Sequence, residues 1–177
     1  MFLSEFPILR RNVSIDMMIK EIKTELFADY FQFYIQDEKV DGDLSNSWTQ
    51  EATDRLLAVG HGTIGIGTVR NMNVPVIVKL FDNEPSIISE IDSIGQINEC
   101  DLETASDKLV IAGCTDYFPD AKRIEVEKGI YRVRIYYCNL DKLSEDGLDG
   151  DDYYEIHFWP IKEKTGVKII RSKSTGA

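Results

Sequence analysis

The sequence has few of the residues that build cysteine and histidine sites. Its 177 residues include three cysteines, Cys100, Cys114 and Cys138, and no two of them have the Cys-x-x-Cys spacing. An odd number of cysteines without that spacing argues against a disulfide framework and is typical of a reducing compartment. Only two histidines, His61 and His157, are present, so a zinc site built from cysteine and histidine is not expected.

Long apolar segments are also absent. No stretch approaches the roughly 20 apolar residues that cross a bilayer. The opening segment MFLSEFPILRR has an acidic residue near its start and an apolar run too short for a signal peptide. With the cysteine pattern, these features predict a cytoplasmic protein without a membrane span.

Basic residues are fewer than acidic ones. The chain has 20 lysines and arginines against 31 aspartates and glutamates, which gives a formal net charge of −11. Direct binding of nucleic acid is not expected, because such proteins offer cations to phosphates. The 43% apolar and 29% charged residues are typical of a soluble globular domain, and the excess of acid favours a partner with a basic surface.

Apolar residues repeat with a period of two over most of the chain, which predicts strands. Residues 25–36, ELFADYFQFYIQ, predict one strand whose buried face carries Phe27, Phe31, Phe33 and Ile35. A tight hairpin turn is predicted at Lys128-Gly129. The other predicted strand segments are residues 64–68, 74–80, 87–91, 108–113, 123–126, 130–138, 153–159 and 166–170.

One helix is predicted among these strands. Ser47 and Gln50 have capping-box spacing, and Glu51 places an acid in the first turn. The apolar spacing that follows predicts a short helix from Thr49 to Val59, ended by Gly60. The fold class predicted from these elements is mainly β, an antiparallel β-sandwich with one short helix.

The patterned domain is predicted to span residues 23–160. Residues 1–22 lack a clear period and contain the alternative start codons of Met17 and Met18, so they are predicted to be an N-terminal extension outside the core. Residues 161–177 are predicted to hold a final strand and a basic tail. That tail has two interpretations, pairing with acidic residues elsewhere in the chain or a solvating segment with little order.

Residues 60–65, GHGTIG, have the glycine spacing of a dinucleotide-binding loop. That loop requires a strand before it and a helix after it, whereas here a predicted helix precedes and a predicted strand follows. We therefore expect no cofactor, and we predict that the glycines end the helix and permit close packing. Neither His61 nor His157 has a partner at a recognisable catalytic spacing, so no catalytic or metal-binding residue is assigned and the chain is not predicted to be an enzyme.

The most acidic part of the chain is residues 141–155. Seven acidic residues and one lysine give this segment a charge of −6, more than half of the total. Its pattern does not match a calcium-binding EF-hand loop. Either the acids imitate the charges of a phosphate backbone and bind a basic nucleic-acid site, or they only solubilise the protein. The candidate partner-binding residues are Asp146, Asp149, Asp151, Asp152, Tyr153 and Trp159.

Residues 48–71, WTQEATDRLLAVGHGTIGIGTVRN, resemble the competence protein J family, the DNA-entry nuclease inhibitors of competent bacilli, and related uncharacterised bacterial proteins. The resemblance is carried by Trp48-Thr49, Glu51-Ala52, Ala58, Gly62, Ile64 and Arg70-Asn71, and more weakly by Tyr30, Phe33, Lys128-Gly129, Tyr131, Asp152, Tyr154 and Ile156. It implies a non-enzymatic acidic inhibitor or immunity-like protein that binds a nuclease. The alternative is a β-sandwich, with or without enzymatic activity, that binds a small molecule or a divalent metal through its aromatic strands and acidic loop.

Overall fold

Eleven strands and one α-helix are formed by residues 17–88 and 90–172, the residues that the computed structural model describes. The helix α1 is Gln50–Asp54, and short 3-10 turns lie at Asp29–Phe31 and Phe118–Asp120. In chain order the strands are β1 (Met18–Phe27), β2 (Gln32–Asp37), β3 (Leu57–Gly60), β4 (Thr63–Gly67), β5 (Asn73–Phe81), β6 (Ile94–Thr104), β7 (Lys108–Gly113), β8 (Lys122–Glu125), β9 (Gly129–Cys138), β10 (Tyr153–Ile161) and β11 (Lys168–Arg171).

The strands form two sheets, which confirms the predicted mainly-β sandwich. One sheet has the strand order β1-β5-β10-β9-β6-β11, and the other has the order β3-β4-β2-β7-β8. Neighbouring strands of the described chain are antiparallel except β5 and β10, which run parallel with Val76 opposite Tyr154. In the chain, β5 follows β4 of the other sheet, whereas β10 follows its antiparallel neighbour β9.

The core lies between the two sheets and follows the period of two in the sequence. In β5, Val74, Val76 and Val78 are buried, while the residues between them face outward. Each such side chain contributes about 1.5–3 kcal/mol when it is fully buried. The same alternation supplies Phe33, Ile35, Ile64, Ile66, Leu109, Ile111, Val133, Ile135, Tyr154, Ile156 and Phe158 to one continuous cluster.

The single strand predicted for residues 25–36 is wrong, because the chain crosses from one sheet to the other in its middle. β1 belongs to the six-stranded sheet and β2 to the five-stranded sheet. The reversal between them holds Tyr30 and Phe31 at φ 57°, in the left-handed region. Phe33 and Ile35 are buried as predicted, but Phe27 and Phe31 are 37% and 54% exposed.

The predicted helix is confirmed in its first half and wrong in its second. Thr49 caps α1, since its Oγ1 accepts a hydrogen bond from the Ala52 amide at 3.2 Å. The helix then ends at Asp54, and Leu56 turns the chain at φ 58° into β3. The apolar residues after Leu56 suit a strand as well as a helix, and pairing with β4 decides between the two.

Two further strand predictions are wrong. Lys128-Gly129 does not turn a hairpin, because β8 pairs with β7 in one sheet while β9 pairs with β6 and β10 in the other. The strand predicted for residues 87–91 is not formed by those of its residues that the structure describes, 87–88 and 90–91. Residues 85–88 lie against the outer face of β9, where Arg134 donates to the Pro85 carbonyl and Tyr136 accepts from the Ile88 amide.

The glycines of the GHGTIG segment lie in the β3–β4 hairpin, so a strand and not the predicted helix precedes them. Gly62 makes the turn at φ +61°. A Cβ on Gly65 would lie 2.7 Å from Leu44 Cδ1 and 2.8 Å from Trp48 Cζ2. The predicted close packing is therefore confirmed: the missing side chain lets the segment before α1 lie directly on the outer face of β4.

We expect Gly65→Ala to lower the free energy of unfolding by about 1–3 kcal/mol, because the added methyl group overpacks this contact. Gly95→Ala is the matched control, since Gly95 is also a strand residue and its Cβ would have no neighbour nearer than 3.7 Å. Urea unfolding of both variants measures the difference. Equal midpoints for the two variants would show that the contact at Gly65 is not tight.

The ends of the described chain bear on the predicted domain limits. β1 runs from Met18 across residue 22, the predicted limit of the N-terminal extension, and residues 1–16 and 173–177 lie outside the described residues. Lys164 Nζ lies 2.5 Å from Glu103 Oε2 in β6. The part of the basic tail that the structure describes thus makes an ion pair with β6.

No helix of the described residues is long and apolar enough to cross a membrane.

Candidate partner-binding site

Four connections meet at one end of the sandwich, which we call the acidic end: residues 28–31, 68–72, 114–121 and 139–152. Their positions follow from the strand directions, since β2, β4, β7 and β9 each begin or finish there. Hydrogen bonds link the first two connections, from the Ala28 amide to the Met72 carbonyl at 3.0 Å and from the Phe31 amide to Asn71 Oδ1 at 3.3 Å. These two connections of the acidic end are therefore joined to each other.

The connection 139–152, here the acidic loop, has a defined conformation. Asp146 Oδ1 accepts hydrogen bonds from Ser144 Oγ at 2.6 Å and from the Leu148 amide at 3.1 Å. The Ser144 hydrogen bond lowers the pKa of Asp146 below its ordinary value. Ser144 Oγ also accepts from the Asp149 amide at 3.0 Å. These bonds hold the acids in fixed positions on the surface.

Three of the predicted partner-binding residues, Asp146, Asp149 and Asp151, are exposed on the acidic loop. The Asp149 side chain is 93% exposed. Tyr153 begins β10 beside them and is half-buried, with its hydroxyl 3.3 Å from Ser93 Oγ. These four residues are placed where a partner could contact them.

Asp152 is not on the surface, where a partner-binding residue is expected. Its side chain is completely buried. It precedes Tyr154 and Ile156 by two and four positions, so the period of two in β10 turns it inward. Its Oδ1 lies 2.5 Å from Arg70 Nε. Its Oδ2 accepts a hydrogen bond from the Tyr154 hydroxyl at 3.1 Å, and that hydroxyl accepts from the Val69 amide at 3.0 Å.

This buried network ties the acidic loop to the connection 68–72. Arg70 is 5% exposed, and its guanidinium also lies 3.5 Å from the Leu148 carbonyl of the loop. Arg70, Asp152 and Tyr154 are three of the residues that carry the sequence resemblance, and the fold brings them together although Arg70 and Asp152 are 82 positions apart. Their role in the structure is to position the acidic loop.

Trp159 is likewise buried and does not lie at the acidic end. It is six residues further along β10 than Tyr153, a distance of about 20 Å in an extended strand. Its ring packs against Arg134, whose guanidinium carbon is 4.7 Å from the ring centroid. The predicted contact of Trp159 with a partner is thus replaced by a contact within the protein.

Sequence reasoning missed a second charged network on the outer face of the six-stranded sheet. Glu99 accepts hydrogen bonds from both Arg132 and Arg134, at 3.1 and 2.6 Å. Arg132 also donates to Asp101 at 2.7 Å, and Arg134 donates to Glu84 at 2.8 Å. The donors come from β9, and the acceptors come from β6 and the segment before it. The partners are therefore far apart in the sequence, and no local sequence pattern predicts the network.

His157 belongs to the same outer face and is paired inside the protein. Its Nε2 lies 2.6 Å from Glu155 Oε1, which also lies 2.6 Å from Lys79 Nζ. Burial opposes the ionisation of Glu155, but the hydrogen bonds from His157 and Lys79 outweigh it and lower its pKa to about 2. Burial lowers the pKa of His157. The imidazole packs between Phe81 and Tyr136, which is the environment of a structural histidine.

Within residues 17–88 and 90–172, no group of three or more histidine, cysteine, aspartate or glutamate side chains is arranged to hold a metal ion. His61 is exposed in the β3–β4 turn. The described cysteines are free thiols, and Cys100 and Cys138 are buried.

Comparison with known proteins identifies the fold. No family model matches the chain, and no curated protein matches it. Among solved structures, it is similar to ComJ from Bacillus subtilis, an inhibitor of the DNA degrading activity of NucA, with a TM-score of 0.60 and 18% identity over 84% of this chain and 100% of that chain. It is also similar to the protein of crocagin biosynthetic gene J, with a TM-score of 0.52 and 16% identity over 84% of this chain and 99% of that chain. The resemblance found in the sequence is thus confirmed at the level of structure, and the chain has the fold that ComJ and the crocagin protein share.

Proposed function

We propose that this chain is a non-enzymatic inhibitor that binds a nuclease through the acidic end. The observation that carries the proposal is an ordered, exposed acidic loop on a fold shared with an inhibitor of NucA. The partner that this surface fits is a basic protein, and nucleic acid itself is not expected to bind. The free cysteines are consistent with a cytoplasmic location.

Electrostatic complementarity supports this role. An active site that binds the phosphates of DNA presents cations, and Asp146, Asp149 and Asp151 present exposed acids along one loop. The neighbouring connection 114–121 adds exposed Asp116 and Asp120 at the same end. A surface of one sign raises the rate at which an oppositely charged partner is encountered, and a bound inhibitor there would exclude DNA from the site.

The buried Arg70–Asp152 pair supports inhibition by making the loop rigid before binding. A loop that is ordered in the free protein loses less conformational freedom on association than a mobile one. The pair therefore contributes to binding indirectly, by positioning the acids and not by contacting the nuclease.

The test is inhibition of DNA cleavage by purified NucA and by the nuclease most similar to NucA from the organism that encodes this chain. We expect cleavage by at least one of them to fall to zero at a fixed molar ratio, with a complex that elutes together from a size-exclusion column. Binding of the chain to DNA alone is measured in parallel to exclude protection of the substrate. Undiminished cleavage by both nucleases at a large molar excess of the chain would contradict the proposal.

A further inference from the structure

The outer edge of β1 differs from the three other sheet edges of the described chain. The six-stranded sheet ends in β1 and β11, and the five-stranded sheet ends in β3 and β8. β3, β8 and β11 have four residues each, whereas β1 has ten. Proteins usually keep exposed edges short, because a long edge offers a row of backbone N–H and C=O groups to another chain. β1 is therefore the edge of this molecule that best suits a further strand.

This edge is regular over residues 21–27. Along that stretch β1 pairs with β5, from Glu21 opposite Lys79 to Phe27 opposite Asn73. Among the described residues, no strand other than β5 pairs with it. The one irregularity of the strand, a bulge between Met18 and Lys20, lies outside the stretch. Residues 21–27 include no proline, so each of them has a backbone N–H for pairing.

A row of alternating charges crosses the outer face of the six-stranded sheet and ends on β1. Glu155 of β10 lies 2.6 Å from Lys79 of β5, and Lys79 lies 3.8 Å from Glu21 of β1. Glu21 in turn lies 3.2 Å from Lys23, the last cation of the row. The Lys23 side chain is 68% exposed on this edge strand. The next position of the row, beyond β1, therefore suits an acid.

We propose that β1 of a second copy of this chain supplies that acid, in an antiparallel pair of β1 strands centred on Thr24. This register places Lys23 of each copy opposite Glu25 of the other. Opposite charges that face each other across two strands stabilise a sheet, and like charges destabilise it. The two-fold axis repeats each contact, so β1 is complementary to itself and the pair closes as a dimer.

The inner face of β1 favours the same register. Ile22 packs against the core and is half-buried, and Leu26 is 6% exposed. Successive side chains of a strand point to opposite faces, so Ile22, Thr24 and Leu26 share the core side of β1. In the pair centred on Thr24, Ile22 of each copy lies opposite Leu26 of the other. The apolar cores of the two copies then continue into each other across the joined sheets.

Neighbouring registers are less favourable. A pair centred on Lys23 would set the two copies of Lys23 against each other and Glu21 against Glu25, which is repulsive. A pair centred on Ile22 would match Glu21 with Lys23, but it leaves Glu25 without a charged partner and extends into the bulge of residues 18–20. The register centred on Thr24 is free of both faults.

The proposed dimer does not use the acidic loop. β10, which follows that loop, is separated from β1 by β5. Antiparallel pairing of the two β1 strands also points the acidic ends of the two copies in opposite directions. Dimerisation and nuclease binding therefore use different parts of the chain, and a negative result for one leaves the other standing.

The first test is the mass of the full chain in solution. We expect sedimentation equilibrium to show a rise with concentration from one copy of 20.2 kDa to two copies. Amide hydrogen exchange of residues 21–27 should slow as the dimer forms, while that of the edge strand β8 should stay the same. The mass of a single copy up to about 1 mM, where even a weak complex is populated, would overturn the proposal.

The second test reverses the paired charges one at a time. Lys23→Glu sets acids against acids at both symmetric positions of the pair, and Glu25→Lys sets cations against cations. We expect each variant alone to dimerise about tenfold or more weakly than wild type. An equimolar mixture of the two variants should recover a dimer of about wild-type affinity, because every mixed pair again has opposite charges.

Lys122→Glu is the matched control, since Lys122 is an exposed lysine on the edge strand β8 and its reversal changes the net charge by the same amount as Lys23→Glu. It should dimerise like wild type. All three variants should unfold near the wild-type midpoint, because their side chains are exposed. Weakening by Lys23→Glu alone would overturn the register centred on Thr24 in favour of Ile22. Undiminished dimerisation of both β1 variants, or a mixture that associates no more tightly than either variant alone, would overturn the pairing of β1 strands.

Discussion

Replacing Asp152 by alanine should lower the free energy of unfolding by about 3–5 kcal/mol, because it leaves the buried Arg70 guanidinium with only a long, 3.9 Å ion pair to the exposed Asp149. Asp152 is fully buried and Arg70 is 5% exposed, so water cannot replace the lost carboxylate without opening the structure. The Tyr154 hydroxyl loses its acceptor in the same variant. Guanidinium chloride unfolding at neutral pH measures the change.

Two comparisons separate this effect from a general loss of charge. Asp151→Ala removes the exposed acid next in sequence, and we expect its stability to lie within about 0.5 kcal/mol of wild type. The double variant Arg70→Met/Asp152→Leu removes both charges and should recover much of the loss. If Asp152→Ala unfolds at the wild-type midpoint, the buried pair does not anchor the acidic loop.

Neutralising the three exposed acids of the acidic loop should slow association with the nuclease by about 10–100-fold at low salt. The variant is Asp146→Asn/Asp149→Asn/Asp151→Asn, which keeps an acceptor oxygen opposite Ser144 and leaves Asp152 in place. The dependence of the association rate on salt should also become flatter, because the steering charges are lost. Stopped-flow association at two ionic strengths measures both quantities.

A control with the same change in net charge tests whether position matters. Glu125→Gln/Glu127→Gln/Glu163→Gln neutralises three exposed acids at the opposite end of the sandwich. We expect its association rate to remain within about twofold of wild type, since these charges are remote from the proposed interface. Equal slowing by both triple variants would mean that only the net charge attracts the partner.

The strands were predictable where local pattern and burial agree. β5, β7 and β10 lie close to their predicted limits because each is a run of β-branched or aromatic residues with one buried face. The reversals at Tyr30, Phe31 and Leu56 were not predictable, because bulky residues occupy left-handed positions that glycine or asparagine usually fill. There the packing of the two sheets overrides local preference.

The candidate site was predictable in part. Charge density alone located the acidic loop, and three of its four predicted acids are exposed. The burial of Asp152 follows from its parity with Tyr154 and Ile156, a pattern present in the sequence. Its partner Arg70 could not be deduced from the sequence pattern, because Arg70 lies in the connection 68–72, 82 positions away.

The parallel pair of β5 and β10 has a consequence for the order in which the chain can fold. β5 lies beside β1 in the six-stranded sheet, but its other edge is completed only by Tyr153–Ile161, which comes after four intervening strands in the chain. A strand this far from β5 must be synthesised before that edge is covered. Pairings between such distant segments form slowly, because the intervening chain must be closed into a loop first. During synthesis, the valine-rich edge of β5 therefore remains unpaired until β10 has left the ribosome. An open edge of that kind is a template for pairing with other chains, so the nascent protein depends on rapid completion of β10 or on a chaperone that covers β5.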